Sequence, residues 1–402
     1  MHLHWCVAGL LLAAGETLAA VRPVQSRTTS RRHSDKIKPK ILVVNLFSYE
    51  AAIWYEKMPS LLAHNISVPG LSPIYPQVHC VRSGEICQMT TGESEINAAA
   101  SFSSLLLSPK FDFTSTYFLI NGIAGVNPKL GTLGTVAMAK FTVQVALQYE
   151  LDAREIPENM TTGYVGYGNS MPNEYPTTQY GTEVFELNEA LRDIAFDCAS
   201  RAKLSDAKSA KEYRAKYTSK DKVYVAGAKA PAVVKCDSAT SDVYYTGNLL
   251  SEAFENTTQM WTNQTKMTYC MTAQEDSAVL ASLLRADLAG LADYSRAILM
   301  RTASDFDRPP PDTSAYYHFF VAEQGGFEIA IENLYNAGIE IVHHIMNGWE
   351  KTFRKGIEPK NYIGDIFGSL GGNPNFGPGS IFKGKGAGKD ASLYAALKRR
   401  RA

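Results

Sequence analysis

Tyr117-Phe118-Leu119-Ile120-Asn121-Gly122-Ile123-Ala124-Gly125 begins as an apolar run of aromatic and branched side chains and passes into a glycine-rich stretch. It reads as a buried strand, residues 117–120, followed by a loop, residues 121–125. Moving outward, Lys40-Ile41-Leu42-Val43-Val44 is a buried first strand. Residues 84–90 read as a strand that turns at Thr91-Gly92-Glu93 into a helix over 94–107, with Ala98, Ala99 and Phe102 for close packing. Residues 135–141 and 223–225 read as strands and residues 184–202 as a polar helix. A strand over 266–271 leads through Gln274-Glu275-Asp276-Ser277 into a helix on which Leu280, Leu283, Leu284, Leu288 and Leu291 share one face. Residues 297–300 form a last strand, ending at Ser304-Asp305, and a long helix over 327–349 stripes Phe327, Ile331, Leu334, Ile341 and Ile345. Strands alternating with helices give an α/β layer structure, and in such sheets ligands bind beyond the carboxyl ends of the strands.

The 402 residues carry 40 Lys+Arg and 40 Asp+Glu, so the net charge is zero. This balance argues against a nucleic-acid partner, which would call for a basic excess. Residues 1–19 read as a signal peptide: an apolar run from Trp5 to Ala14, then Thr17-Leu18-Ala19 at a small-x-small cleavage site. The expected order is a disordered linker over 20–36, an α/β domain over 37–364, and a Gly/Pro-rich tail over 365–402 with a basic end. Sequons start at Asn65, Asn159, Asn256 and Asn263, which fits a glycosylated protein that is secreted or held at the cell surface. Past the leader five cysteines remain, enough for two disulfides and one free thiol. Cys80 and Cys87 are close enough for a hairpin bridge; the other pairing stays open. No later apolar run approaches the roughly 20 residues of a membrane-spanning helix, so the chain is not by itself a pore or carrier.

Four polar sites follow strands: Glu50, the loop 121–125, Glu275, and Asp305 with Asp307 behind it. Their setting resembles a known superfamily. Asn121-Gly122-Ile123-Ala124-Gly125-Val126-Asn127-Pro128-Lys129-Leu130-Gly131-Thr132-Leu133-Gly134-Thr135-Val136 resembles the glycine loop and next strand of the purine nucleoside phosphorylase/nucleosidase superfamily. Thr91-Gly92-Glu93-Ser94-Glu95-Ile96-Asn97-Ala98-Ala99 resembles its T-G-x-G-x-x-N-A-A helix start, with Ser94 replacing the second Gly. Gln274-Glu275-Asp276-Ser277-Ala278 and Arg301-Thr302-Ala303-Ser304-Asp305-Phe306-Asp307 resemble its M-E-A-T/A-A and R-x-I-S-D-x-A-D segments. The whole chain past the leader, including Tyr362-Ile363-Gly364-Asp365-Ile366-Phe367-Gly368-Ser369-Leu370-Gly371-Gly372, more closely resembles the fungal purine nucleoside permease family. The resemblance implies the nucleoside phosphorylase-like fold, an α/β three-layer structure with a central mixed sheet.

It also implies roles. Asp305 takes the position of the acid that protonates the departing purine, for which a raised pKa at a dry strand end is suited. Glu275 matches the carboxylate that accepts hydrogen bonds from the ribose hydroxyls. Asn121, Gly122 and Gly125 belong to the substrate-binding loop, where glycine lets backbone approach ligand. Glu50 chooses between two reactions. Phosphorylases grip phosphate with Arg near the first strand, but no Arg lies between Arg32 and Arg82. Asn45-Leu46-Phe47-Ser48-Tyr49-Glu50 instead puts a carboxylate where hydrolytic nucleosidases keep the base that activates water, and Ile123-Ala124 replaces the Ser frequent in phosphate-binding relatives. Hydrolysis is thus favoured over phosphorolysis, which would require another loop to deliver an Arg such as Arg82 to phosphate.

The expected partners are purine nucleosides, with phosphate, a separate membrane carrier and a second copy of the chain left open and neither cofactor nor metal called for. The alternative is the permease family's named role, nucleoside transport across a membrane, by binding and delivery to a carrier; a third reading is a catalytically inactive nucleoside-binding protein at the cell surface. Other features are set aside: the P-loop-like Gly379 to Lys385 has Gly386 in place of Ser/Thr, and His318, His343 and His344 lack metal-ligand spacing. Tyr164 and Tyr167 read as ordinary loop aromatics, and Cys236 to Asp242, which resembles a permease-family segment, has no assigned role.

Overall fold

A computed structural model describes residues 36–218, 222–262 and 267–387. The leader, the linker up to residue 35, the sequon at Asn263 and the basic C-terminus lie outside these residues. In chain order the strands begin with β1 (Ile41–Asn45), β2 (His64–Ser67), β3 (Gln77–Cys80), β4 (Ile86–Thr90) and β5 (Tyr117–Val126). They continue with β6 (Val136–Ala139), β7 (Phe141–Gln144), β8 (Tyr149–Glu150), β9 (Tyr164–Val165) and β10 (Val184–Glu186). The last are β11 (Val233–Lys235), β12 (Asp237–Thr240), β13 (Tyr269–Ala273), β14 (Ala297–Phe306) and β15 (Gly364–Asp365). Helices are α1 (Ser48–Lys57), α2 (Ser94–Leu106), α3 (Glu189–Ala199), α4 (Lys208–Arg214), α5 (Asn248–Trp261), α6 (Asp276–Leu288), α7 (Ala315–Phe320) and α8 (Phe327–Asn347).

The side chains of β1 decide the layering. All five of its residues are buried, and because a strand alternates its faces they feed two different cores. Leu42 and Val44 pack with Phe102 and Leu105 of α2 and Leu280 and Leu283 of α6. Ile41 and Val43 pack on the other face with Ile53 and Trp54 of α1 and Leu334 and Ile341 of α8. Helices therefore cover both faces of one sheet, the α/β three-layer arrangement read from the sequence. The sheet has 13 strands and is mixed: β1 pairs in parallel with β4 and β5, while β13 runs antiparallel to β5.

Several element boundaries differ from the sequence reading. Residues 121–125 are not a loop but the second half of β5, paired with β14 along its length and with β13 at its end, so the backbone polar groups are satisfied as strand. β14 likewise runs on through Asp305 to Phe306. The strand expected over 135–141 divides into β6 and β7 at Lys140, where the backbone N–H groups of Lys140 and Phe141 both donate to Asp237 Oδ1 at 2.8 and 2.9 Å. The helix expected over 184–202 starts only at Glu189, because Asn188 caps it by accepting from Leu191 N, and Val184–Glu186 is strand. Residues 223–225 form a turn, the strand lying at Val233–Lys235. Phe327 stands outside the apolar stripe of α8, over the cavity described below.

Residues 364–387, expected as domain end and tail, pack on the sheet: β15 pairs with β10, and Ile366 and Phe376 are fully buried. Cys80 is bonded to Cys87, and Cys236 to Cys270, leaving Cys198 free and buried.

Candidate active site

A cavity of about 770 Å³ opens at the carboxyl ends of β1, β5, β13 and β14. Glu50, Gly125, Glu275 and Asp305, drawn from chain segments more than 200 residues apart, all line it. Each is delivered by a different local structure. Glu50 lies in the first turn of α1 and is 1% exposed. Its Oε2 accepts from Leu46 N at 2.6 Å, and its Oε1 from Ile123 N at 2.7 Å across the sheet. Burial pushes its pKa up to about 8, against the opposing pull of Arg301 and of these two backbone donors.

Arg301 of β14 organises the floor. Its Nε donates to Asp276 Oδ1 at 3.0 Å, its Nη2 to Glu275 Oε2 at 3.0 Å and to Asp276, and its Nη1 to the Ile123 carbonyl at 2.9 Å. Every guanidinium nitrogen is thus committed to protein. Asp276 is held from the other side by Ser238 Oγ, 2.6 Å away. Glu275 occupies the N-cap position of α6 without a side-chain capping bond, and its Oε1 instead accepts from Ser94 N at 3.0 Å. Burial raises its pKa, with Arg301 and the Ser94 amide pulling the other way.

Asp305 owes its aim to a bulge. β14 pairs Ala303 with Ala124 and Asp305 with Gly125, leaving Ser304 as the extra residue. A bulge re-aims side chains beside it, and here Ser304 and Asp305 both face the cavity. Ser304 Oγ donates to Asp305 Oδ1 at 2.7 Å, and the Tyr244 hydroxyl reaches the same carboxyl. Burial raises the Asp305 pKa against these two hydrogen bonds. Asp307 is committed elsewhere, to Arg308 by two hydrogen bonds of 2.9 Å and to the Tyr269 hydroxyl.

The structure redistributes the other residues named from sequence. Asn121 turns away from the cavity: it is fully buried, and its side chain donates to the Leu334 carbonyl of α8 at 3.3 Å. Asn121 lies further from the carboxyl end of β5 than Ile123 and Gly125, which do line the cavity, so its side chain meets α8 instead. Gly122 does not line the cavity either. A Cβ there would lie 2.4 Å from Arg301 Nη1 and 2.8 Å from Glu50 Oε1, so glycine makes room for that pair. At Gly125 the obstacle would be Thr272 Oγ1, 2.4 Å away. Arg82 is exposed in the turn after β3 and does not reach the cavity. Tyr164 packs on Phe254, and Tyr167 between Tyr149 and Tyr180, outside the cavity.

Sequence reasoning quoted Arg301 and Asp276 but gave them no part, passed over Tyr244, and placed Phe327 on the apolar stripe of the long helix rather than at the cavity. A lone Arg in an apolar strand was the available signal for the first, since a buried guanidinium requires carboxylates. Six carboxylates line the cavity, from Glu50, Glu93, Glu275, Asp305, Glu323 and Glu328, while Arg301 is the one cationic lining residue among the described residues.

The sequence model of the Purine nucleoside permease (NUP) family matches residues 38–358, which is most of the chain. The chain belongs to the purine nucleoside permease family. A purine nucleoside permease of Candida albicans is 48% identical over 351 residues, covering 86% of this chain and 84% of that protein. Another, from Candida albicans strain SC5314, is 45% identical over 376 residues, covering 92% and 90%. Among solved structures, the 5′-methylthioadenosine/S-adenosylhomocysteine nucleosidase of Neisseria meningitidis is similar to 77% of this chain over 99% of its own, with TM-score 0.44 and 14% identity. For this member of the permease family, no helix among the described residues is long and apolar enough to cross a membrane.

Proposed function

We propose that the cavity binds purine nucleosides and hydrolyses their N-glycosidic bond. The observation that carries this reading is the convergence of Glu50, Glu275 and Asp305 on one cavity whose single cation is already spent on protein carboxylates. Asp305 in its protonated form donates to a ring nitrogen of the base as the bond from that base to ribose C1′ breaks. Glu275 accepts from the ribose hydroxyls and favours the positive charge that develops on the sugar. Glu50, ionised, takes a proton from the water whose oxygen bonds to C1′. Free base and free ribose result. A phosphate nucleophile would enter among carboxylates with no uncommitted cation to hold it, whereas phosphate sites are built from free Arg donors.

The second reading, delivery of nucleosides to a separate membrane carrier, is supported by the permease name its relatives bear. It uses the same cavity without turnover. Export from the cell fits the two buried disulfides, which persist in oxidising compartments, and Asn65 and Asn159 are exposed sequon residues open to glycosylation.

Purified protein incubated with inosine or adenosine, with and without phosphate, tests the proposal through the sugar product. Free ribose formed without phosphate is the expected result. Ribose 1-phosphate formed only with phosphate would overturn the hydrolytic assignment, and binding without cleavage would overturn the enzyme reading in favour of nucleoside delivery or sensing.

A further inference from the structure

We propose that Ser94 and Asp242 are positioning residues that aim the Ser94 amide at Glu275, an inference that rests on reading Glu275 as the ribose-binding carboxylate. Ser94 opens α2 with φ +76°, a left-handed conformation that glycine adopts freely and a serine does not. Here the strained residue is held by its own side chain. Ser94 Oγ donates to Asp242 Oδ1 at 2.6 Å, and the same oxygen accepts from Glu95 N at 2.7 Å. The carbonyl of Asp242 in turn accepts from Gln274 Nε2 at 2.8 Å, beside Glu275. In this turn the Ser94 N–H points at Glu275 Oε1, 3.0 Å away, while Arg301 holds the opposite oxygen at 3.0 Å.

Glu275 is therefore clamped between β14 and the start of α2, and the clamp closes through Asp242, just past β12. The segment after Asp242 also carries Tyr244, whose hydroxyl reaches Asp305. The charged groups around Glu275 are Arg301 from β14, Asp276 on its own helix, Glu50 on α1, and Glu95 on α2.

Two substitutions at one position separate positioning from bulk stability. Ser94→Ala and Ser94→Gly both remove Oγ, but only glycine keeps φ +76° without help. Inosine affinity and the titration of the Glu275 carboxyl, followed by ¹³C NMR on the full chain without ligand, are measured for each. We expect Ser94→Ala to weaken inosine binding by about threefold to tenfold, the loss of roughly one hydrogen bond. Its Glu275 midpoint should move to higher pH, because a donor to the ionised form is lost. Ser94→Gly should stay within about twofold of the parent in affinity, and adding it to Asp242→Ala should restore most of the binding that Asp242→Ala loses. Equal behaviour of Ser94→Ala and Ser94→Gly, or no rescue of Asp242→Ala, would overturn the inference. If Asp242→Ala does not fold, the Ser94 pair decides alone. Absence of inosine binding by the parent protein would overturn the functional reading instead, while the Glu275 titration would still decide the positioning role.

Discussion

Glu50 turns both carboxylate oxygens back onto backbone N–H groups, yet burial holds its pKa near 8. Because the folded state keeps this proton more tightly than the unfolded chain, the associated stability is complete below about pH 4.5 and is lost as pH rises toward 8. Glu50→Gln removes that dependence. Its stability relative to the parent should improve across this window by an amount on the order of a few kcal/mol, read from denaturant midpoints at a series of pH values. An amide facing two N–H donors carries a constant penalty, so the sign at low pH should be unfavourable. On activity the same group acts as base only when ionised, so kcat/KM should fall as pH drops through about 8. For Asp305, the asparagine variant keeps the shape and loses the proton. Turnover should drop by about 10²–10⁴-fold with thermal midpoint and nucleoside affinity nearly retained, and a fall in affinity of the same size would contradict its role as acid. These carboxylates were legible one by one in the sequence, each at the end of a strand-like run. Arg301 had no readable role there, because its partners Glu275 and Asp276 lie 26 and 25 residues away and only the adjacency of β13 and β14 with β5 brings them together.

At the scale of elements, β5 and β14 explain both the success and the errors of the sequence reading. Apolar runs revealed their first halves, residues 117–120 and 297–300. Their second halves, where Gly, Ala, Asn, Ser and Asp interrupt the apolar pattern, carry little strand propensity of their own and are strand because neighbours complete their ladders. The Ser304 bulge, which aims Asp305, is a matter of register between two strands and has no signature within either one. The long helix α8 was legible from its apolar stripe, but not the buried Asn333 that ties it to the loops beneath. Its Nδ2 donates to the carbonyls of Gly134 at 2.8 Å and Ser205 at 3.1 Å, and its Oδ1 accepts from Ser205 N at 2.6 Å. Asn333→Ala orphans these buried groups and should lower unfolding stability by about 1–3 kcal/mol in a denaturant titration. Asn333→Leu should do no better, since the penalty comes from the unpaired backbone.

For the whole molecule, zero net charge hides a strong local imbalance, with carboxylates gathered on the cavity and their one guanidinium fully engaged. The Cys236–Cys270 bridge closes a separation of 34 residues between the entry to β12 and β13, the strand that ends at Glu275. Replacing both cysteines by alanine should lower stability by about 2–4 kcal/mol. Alkylation under denaturing, non-reducing conditions should label Cys198 and none of Cys80, Cys87, Cys236 and Cys270; label on any of these four would show that the bridges do not form. The sequence by itself determined the alternation of strands and helices, the two-faced burial of β1 and the presence of carboxylates at strand ends, since these follow from short-range periodicity and residue type. It also carried the family, through motifs whose order survives along the chain. Only the tertiary structure decided that Asn121 faces α8, that Gly122 makes room for Arg301 and Glu50, that Arg301 is spent on Glu275 and Asp276, and that Ser94 and Asp242 brace the site. Those outcomes depend on strand register and on contacts between segments far apart in the chain, where burial gives each charge its partner.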